Sequence, residues 1–269
     1  MAKYAFSRRI NMAAFNNIAR SILLAASALA IIVPAAGVQA GPLSWLRGGE
    51  TVQGNGKIVK QTRDTGHFTG LALALPGEVE VRTGNTENVT VETDENVQAV
   101  IETVVEHGTL QVRPVKRDVR IDTRTLKVIV NAKMLEKIAV GGSGSVDADT
   151  LKAPKLTFDV GGSGSINVRN MESDAVAVSL GGSGNLKAAG STERLQVSIG
   201  GSGKVNTDKL AARDVSVSIG GSGQATVWAK QSLNLSVAGS GDIGYYGDPQ
   251  ISKNIMGSGS VKRLGGTQN

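Results

Sequence analysis

From about residue 137 onward the chain alternates apolar and polar positions, and the alternation restarts at nearly fixed intervals. Leu156, Phe158 and Val160 occupy every second position. So do Val176, Val178 and Leu180; Leu195, Val197 and Ile199; Val215, Val217 and Ile219; and Leu233, Leu235 and Val237. A period of two marks a strand with one buried face. Each run ends at a Gly-Ser-Gly triplet beginning at Gly142, Gly162, Gly182, Gly201, Gly221, Gly239 or Gly257, with spacings of 20, 20, 19, 20, 18 and 18 residues. Beyond each triplet a second short run alternates, with Val146, Ile166, Leu186, Val205, Ala225, Ile243 and Val261 inward. The repeated unit is therefore strand, tight corner, strand and looser turn, and the length variation falls in the looser turn. The outward positions include a column of Ser179, Ser198, Ser218 and Ser236 that faces water.

One such unit buries too few apolar side chains to offset the entropy of ordering it. Stacked units share one continuous core and pair strand to strand at about 4.8 Å. A repeat of this period predicts an all-β fold, a parallel β-helix or β-solenoid with two short strands per rung. Glycine is expected at the corner for two reasons: a sharp bend calls for positive φ, and stacked corners bring backbones close together.

From Phe68 to Val130 the alternation is less regular: Leu71, Leu73, Leu75; Val79, Val81; Val89, Val91; Leu110, Val112; Leu126, Val128, Val130. Pro76-Gly77, Gly84-Asn85 and His107-Gly108 are turn signals between these runs. This part is expected to begin the stack and to cover its N-terminal end, where open strand edges would invite aggregation. Gly41 to about Asp64 shows little periodicity. The expected organisation is a signal peptide over 1–40 and a flexible lead over 41–64. A single domain follows over 65–264, an irregular β part (65–135) and then the repeats (136–264), with a tail over 265–269.

The first forty residues hold Lys3, Arg8, Arg9 and Arg20 and no acidic residue, followed by an apolar run from Ile22 to Val38 broken by Pro34. That is the layout of a secretory signal, and Val38-Gln39-Ala40 sets small residues for cleavage before Gly41. The apolar run is at the short edge for a bilayer span, so no membrane span is expected after cleavage. Ser7-Arg8-Arg9 opens like a twin-arginine signal, but Asn11 stands where that motif wants an apolar residue, so ordinary unfolded export is expected. Met12 is a second candidate start. The expected location is the periplasm, the cell envelope or outside the cell. Four of the 29 basic residues fall in the signal, leaving 25 against 23 acidic, a net +2. With no Lys/Arg run and 3% aromatic residues, the chain lacks the footprint of a nucleic-acid binder. There are no cysteines, so packing and not disulfides must hold the fold.

The alternating N-terminal strands lead into Leu135-Glu136-Lys137-Ile138-Ala139-Val140. With Gly142-Ser143-Gly144 and the recurring units such as Gly162-Ser163-Gly164-Ser165-Ile166-Asn167, they resemble the bacterial family described as "putative auto-transporter adhesin, head GIN domain". The resemblance spans roughly residues 65 to 260. It implies an exported β-helix-like domain of the envelope or secreted kind, and it carries over no catalytic residue. Only ten residues follow Gly259, too few for the outer-membrane barrel of an autotransporter.

Candidate chemistry is sparse. Seven corner serines, Ser143, Ser163, Ser183, Ser202, Ser222, Ser240 and Ser258, recur as geometry does, and both histidines, His67 and His107, lie outside the repeats. No catalytic residue, no cofactor and no metal site is expected. Two histidines without cysteines make a poor transition-metal set, and Val146 stands where a calcium repeat of Gly-Gly-x-Gly-x-Asp type needs its carboxylate. The corners lack the Lys-Ser/Thr and following helix of a phosphate loop. The third residue after each triplet (Asp147, Asn167, Lys187, Asn206, Thr226, Gly244, Lys262) forms no acidic cluster of the glycoside-cleaving kind. The serine column lacks the threonine methyls of an ice-binding face. Trp228 and Tyr246 are the candidate ligand contacts: both fall five places after their triplet, on outward parity, in adjacent rungs. The expected function is a non-enzymatic surface for an unidentified macromolecule or glycan. A carbohydrate-active β-helix enzyme and a self-associating structural element are the alternatives.

Overall fold

The computed structural model describes residues 50–266, and the signal peptide expected over 1–40 lies outside them. The described chain is almost entirely strand, with one short helix, Glu95–Gln98. From Lys137 it climbs as a parallel β-solenoid. Lys137–Val140 pairs with Lys155–Val160 and Ser145–Lys152 with the start of Ser165–Leu180, a register advance of one 20-residue unit. Asn185–Ile199, Lys204–Ile219 and Gln224–Gly239 continue the climb. The alternating side chains stack inside: Phe158, Val178, Val197, Val217 and Leu235 are all buried in one line.

The corner glycines owe their place to crowding more than to backbone sign. Among them only Gly239 and Gly257 have φ in the left-handed region, at 136° and 125°. This corrects the expectation that the bend itself demands positive φ. A Cβ on Gly162 would lie 2.4 Å from the Gly142 carbonyl oxygen, and one on Gly164 would lie 2.5 Å from both the Gly144 carbonyl oxygen and Val140 Cγ1. Neither contact is tolerable. The corners stay in contact because each donates to the rung below, as in Ser163 N–H to the Gly142 carbonyl at 3.2 Å and Ser165 N–H to the Gly144 carbonyl at 3.0 Å.

The looser turn is not a turn. Ser165–Leu180 runs as one 16-residue strand through it, and Met171, Glu172 and Ser173 pair with Gly190, Ser191 and Thr192. Each of these rungs thus has a short third side, with Leu151, Met171 and Leu210 buried beneath it. Length variation is absorbed by bulges. The register slips between Val168 and Met171, where Gly190 (φ 126°) takes the shortened path, and between Thr207 and Ala211, where Asp208, Lys209 and Leu210 have no partners in the next rung. Buried Thr207 at that bulge donates its hydroxyl to the Thr226 carbonyl at 3.1 Å.

The N-terminal part forms two less regular rungs, out of chain order. Gly70–Leu73 and Glu78–Thr83 lie directly against Lys137–Val140 and Ser145–Lys152. Thr109–Pro114 and Leu126–Ala132, later in sequence, lie on the far side of them, also parallel. The ladder then finishes in antiparallel pairing. Ile101–Glu106 folds back on Thr109–Pro114, Asn88–Asp94 on Leu126–Ala132, and Ile58–Asp64 on Asn88–Asp94. A two-strand ladder of Thr51–Gln53 and Arg120–Asp122 completes this end. The flexible lead expected over 41–64 is therefore corrected for its described part, which contributes strands. Its inward parity carries Val59, Gln61 and Arg63, and two polar residues in three positions hide the alternation. Gly265, placed in the expected tail, ends the last strand, Ser260–Gly265.

Candidate functional site

The third side carries an open groove. Its outward column, read from the strand register, runs Lys152, Glu172, Ser191, Ala211, Trp228 and Tyr246. Charge comes first, small residues occupy the middle, and aromatic rings stand at the far end. Ser191 and Ala211 leave a groove of about 690 Å³, walled by Asp174, Glu193, Arg213 and Lys230 among others.

The bulge at Asp208–Leu210 decides where the rings fall. Because the Gln224–Gly239 rung omits those three residues, Trp228 comes level with Ala211, and Tyr246 follows directly as its register partner. Both rings are half-buried. Glycines flank them: a Cβ on Gly247 would sit 3.5 Å from Trp228 Cδ1, and one on Gly265 would sit 3.4 Å from the Tyr246 ring. Lys230 Nζ lies 5.5 Å from the Trp228 ring centroid, within range of a cation–π contact, and also lines the groove.

Four of the six charged residues lining the groove are paired with one another. Lys152 Nζ meets Glu172 at 2.8 Å, and Arg213 bridges Glu193 at 2.8 Å and Asp214 at 2.9 Å. The Ser232 hydroxyl, donating at 2.7 Å, and then Arg213 hold the Asp214 carboxyl below the usual carboxylate range. Asp214, and with it Glu193, raises the Arg213 guanidinium in turn. Glu172 and Glu193 have side chains 64% and 54% exposed and already paired with cations, which is not the desolvated setting of a general acid. Among the described residues no group of three or more His, Cys, Asp or Glu side chains could hold a metal ion.

The other candidates stand apart. The described corner serines Ser143, Ser163, Ser183, Ser202, Ser222, Ser240 and Ser258 line the opposite edge of the stack, and His67 Nδ1 lies 2.7 Å from Glu87 Oε1 in the N-terminal part. Ser179, Ser198, Ser218 and Ser236 are register partners on the face before the corner, where the column continues to Asn254. Sequence reasoning places Trp228 beside Tyr246 but misses Lys152, Glu172, Ser191 and Arg213. These fall in the variable-length segment, and only the bulge positions reveal which of them share a column.

A family model described as "putative auto-transporter adhesin, head GIN domain" matches residues 67–249. Three crystal structures share the fold. A "putative lipid binding protein" from Parabacteroides distasonis is 27% identical, with a TM-score of 0.68, over 80% of this chain and all of that one. A "putative adhesin" from Bacteroides fragilis is 23% identical, with a TM-score of 0.71, over 79% of this chain and all of that one. Another "putative adhesin", from Parabacteroides merdae, is 20% identical, with a TM-score of 0.64, over 80% of this chain and all of that one. No curated protein matches the sequence.

Proposed function

The chain belongs to the head GIN domain family, and from that premise we propose that it is an exported, non-enzymatic binding protein whose third-side groove holds a glycan. One observation carries this reading: Trp228 and Tyr246 stand in register in the column just beyond a groove lined with hydroxyls, carboxylates and cations, joined to it through Ala211 and Lys230. Stacked aromatic faces suit the apolar faces of sugar rings, and the polar walls suit their hydroxyls. Export is supported by the basic-then-apolar N-terminus and by the adhesin description of the family. No helix among the described residues is long and apolar enough to cross a membrane.

The description of the Parabacteroides distasonis relative raises a lipid as an alternative ligand. The charged walls of this groove favour a polar ligand over an acyl chain. The test is a glycan array of bacterial and host polysaccharides run beside phosphatidylglycerol vesicles, with wild type against a Trp228→Ala/Tyr246→Ala double variant. The expected result is retention on at least one glycan, weakened about tenfold or more in the variant, a loss of about 1.4 kcal/mol. Equal retention by the variant, or retention on vesicles alone, would overturn the reading.

A further inference from the structure

The last rung differs from every rung beneath it. Gln250–Gly257 and Ser260–Gly265 pair on one side only, with Ser232–Gly239 and Asp242–Tyr246, and no described strand takes their other edge. Their inward positions continue the core columns. Ile251 and Ile255 stand level with Leu233 and Val237, yet they are 43% and 37% exposed where those two are 0%. The core of the stack thus surfaces here, beside exposed Leu264 and half-buried Val261.

Two inward positions break the apolar pattern. Lys253 occupies the place held by Leu235 one rung down, and Arg263 the place held by Tyr245. Arg263 is engaged: its Nε donates to the Gly247 carbonyl at 3.0 Å and its Nη2 lies 3.4 Å from Asp248. Lys253 pairs with no carboxylate among the described residues. An inward lysine on an open edge discourages indiscriminate pairing, since any strand laid over it must bury an ammonium group. It also specifies which strand is accepted.

We infer that the open C-terminal end receives an extended segment of a partner protein, one that has apolar residues at alternate positions and a carboxylate between them facing Lys253. The backbone edge supplies strand hydrogen bonds, Ile251 and Ile255 supply apolar contacts, and Lys253 supplies the charge that selects. A second copy fits worse. Two open ends related by a two-fold axis would bring both copies' Lys253 into one interface with no carboxylate between them. Head-to-tail stacking meets an N-terminal end already finished by antiparallel strands, where the Arg63 guanidinium donates to the Ile101 and Gln98 carbonyls.

The probe is a synthetic peptide of residues 232–246, the strands this rung already stacks upon, carrying Leu235→Glu. A matched peptide carries Leu235→Lys. Binding to the full chain is measured by fluorescence anisotropy, and the amides of 250–257 are followed by hydrogen exchange. The glutamate peptide should bind at least tenfold tighter than the lysine peptide and should slow exchange across 250–257. Lys253→Glu should reverse the preference, and Lys253→Met, which keeps the apolar stem, should abolish it. Equal binding of the two peptides, no added protection in 250–257, or concentration-dependent dimerisation abolished by Ile255→Asp would each overturn the inference.

Discussion

The two ends of the solenoid solve the same problem in different ways. A stack of parallel rungs must stop somewhere, and each stop leaves unpaired edges and an exposed core. At the N-terminal end the direction of pairing reverses and polar side chains fill what remains. Arg63, on an inward position, spends its guanidinium on the Ile101 and Gln98 carbonyls and on the Gln61, Gln98 and Thr103 side chains. Gln98 donates to the Val59 and Val91 carbonyls, and buried Asp94 accepts from the Gly56 amide and the Thr123 hydroxyl. At the C-terminal end an inward cation is again present, but Lys253 has no described partner, and all eight residues of Gln250–Gly257 are exposed. The same device, a charge aimed at the core, closes one end and leaves the other selective.

The contrast should appear first in stability. Leu110→Ala, at a fully buried position in the N-terminal rungs, is expected to cost about 2–5 kcal/mol. Ile255→Ala, on the matching inward parity of the open rung, should cost under about 1 kcal/mol because its site is already wet. Denaturant unfolding of the two variants measures both; equal losses would mean that the ends are equally packed.

Acid should separate the N-terminal end from the central rungs next. The Thr123 hydroxyl first, and then the Gly56 amide, hold the Asp94 carboxyl below its usual range in the folded chain. Such a group stabilises the fold above its unfolded pKa and loses that contribution as pH falls through its lower folded value. Amides of Ile58–Asp64 and Asn88–Asp94 should therefore lose protection on acidification before those of Lys204–Ile219, and Asp94→Asn should remove the pH dependence of that difference. Simultaneous loss of protection would contradict the assignment.

The smallest effect is expected at Thr93, whose hydroxyl is fully buried with no hydrogen-bond partner. Thr93→Val keeps the shape and removes the unpaired group, so stability should stay level or rise by up to about 1 kcal/mol. A clear destabilisation in thermal unfolding would show that the hydroxyl is satisfied in solution.

These ends also mark how far the sequence could be read. The climb from Lys137 was plain because Val160, Leu180, Ile199, Ile219 and Val237 all stand two residues before the first glycine of a triplet, so periodicity alone gives their register. The covering role of Ile58–Asp64 was hidden because Gln61 and Arg63 occupy inward positions, and the place of Thr109–Pro114 on the far side of Gly70–Leu73 depends on a crossing of the chain that alternation does not encode. The third side was hidden for another reason. It is short, and its register slips at bulges, so Glu172 and Ala211 come into one column without any constant spacing to announce it.

The glycine corner column sets a rule for how such a molecule can change size. Since each corner touches only the corners directly below and above it, as Gly162 does Gly142 and Gly182, a duplicated twenty-residue segment could be spliced between two of them without altering either end of the stack. Each such splice would carry the two ends of the stack about 4.8 Å further apart and lengthen the groove wall by one residue. Reach, in this architecture, is counted in copies.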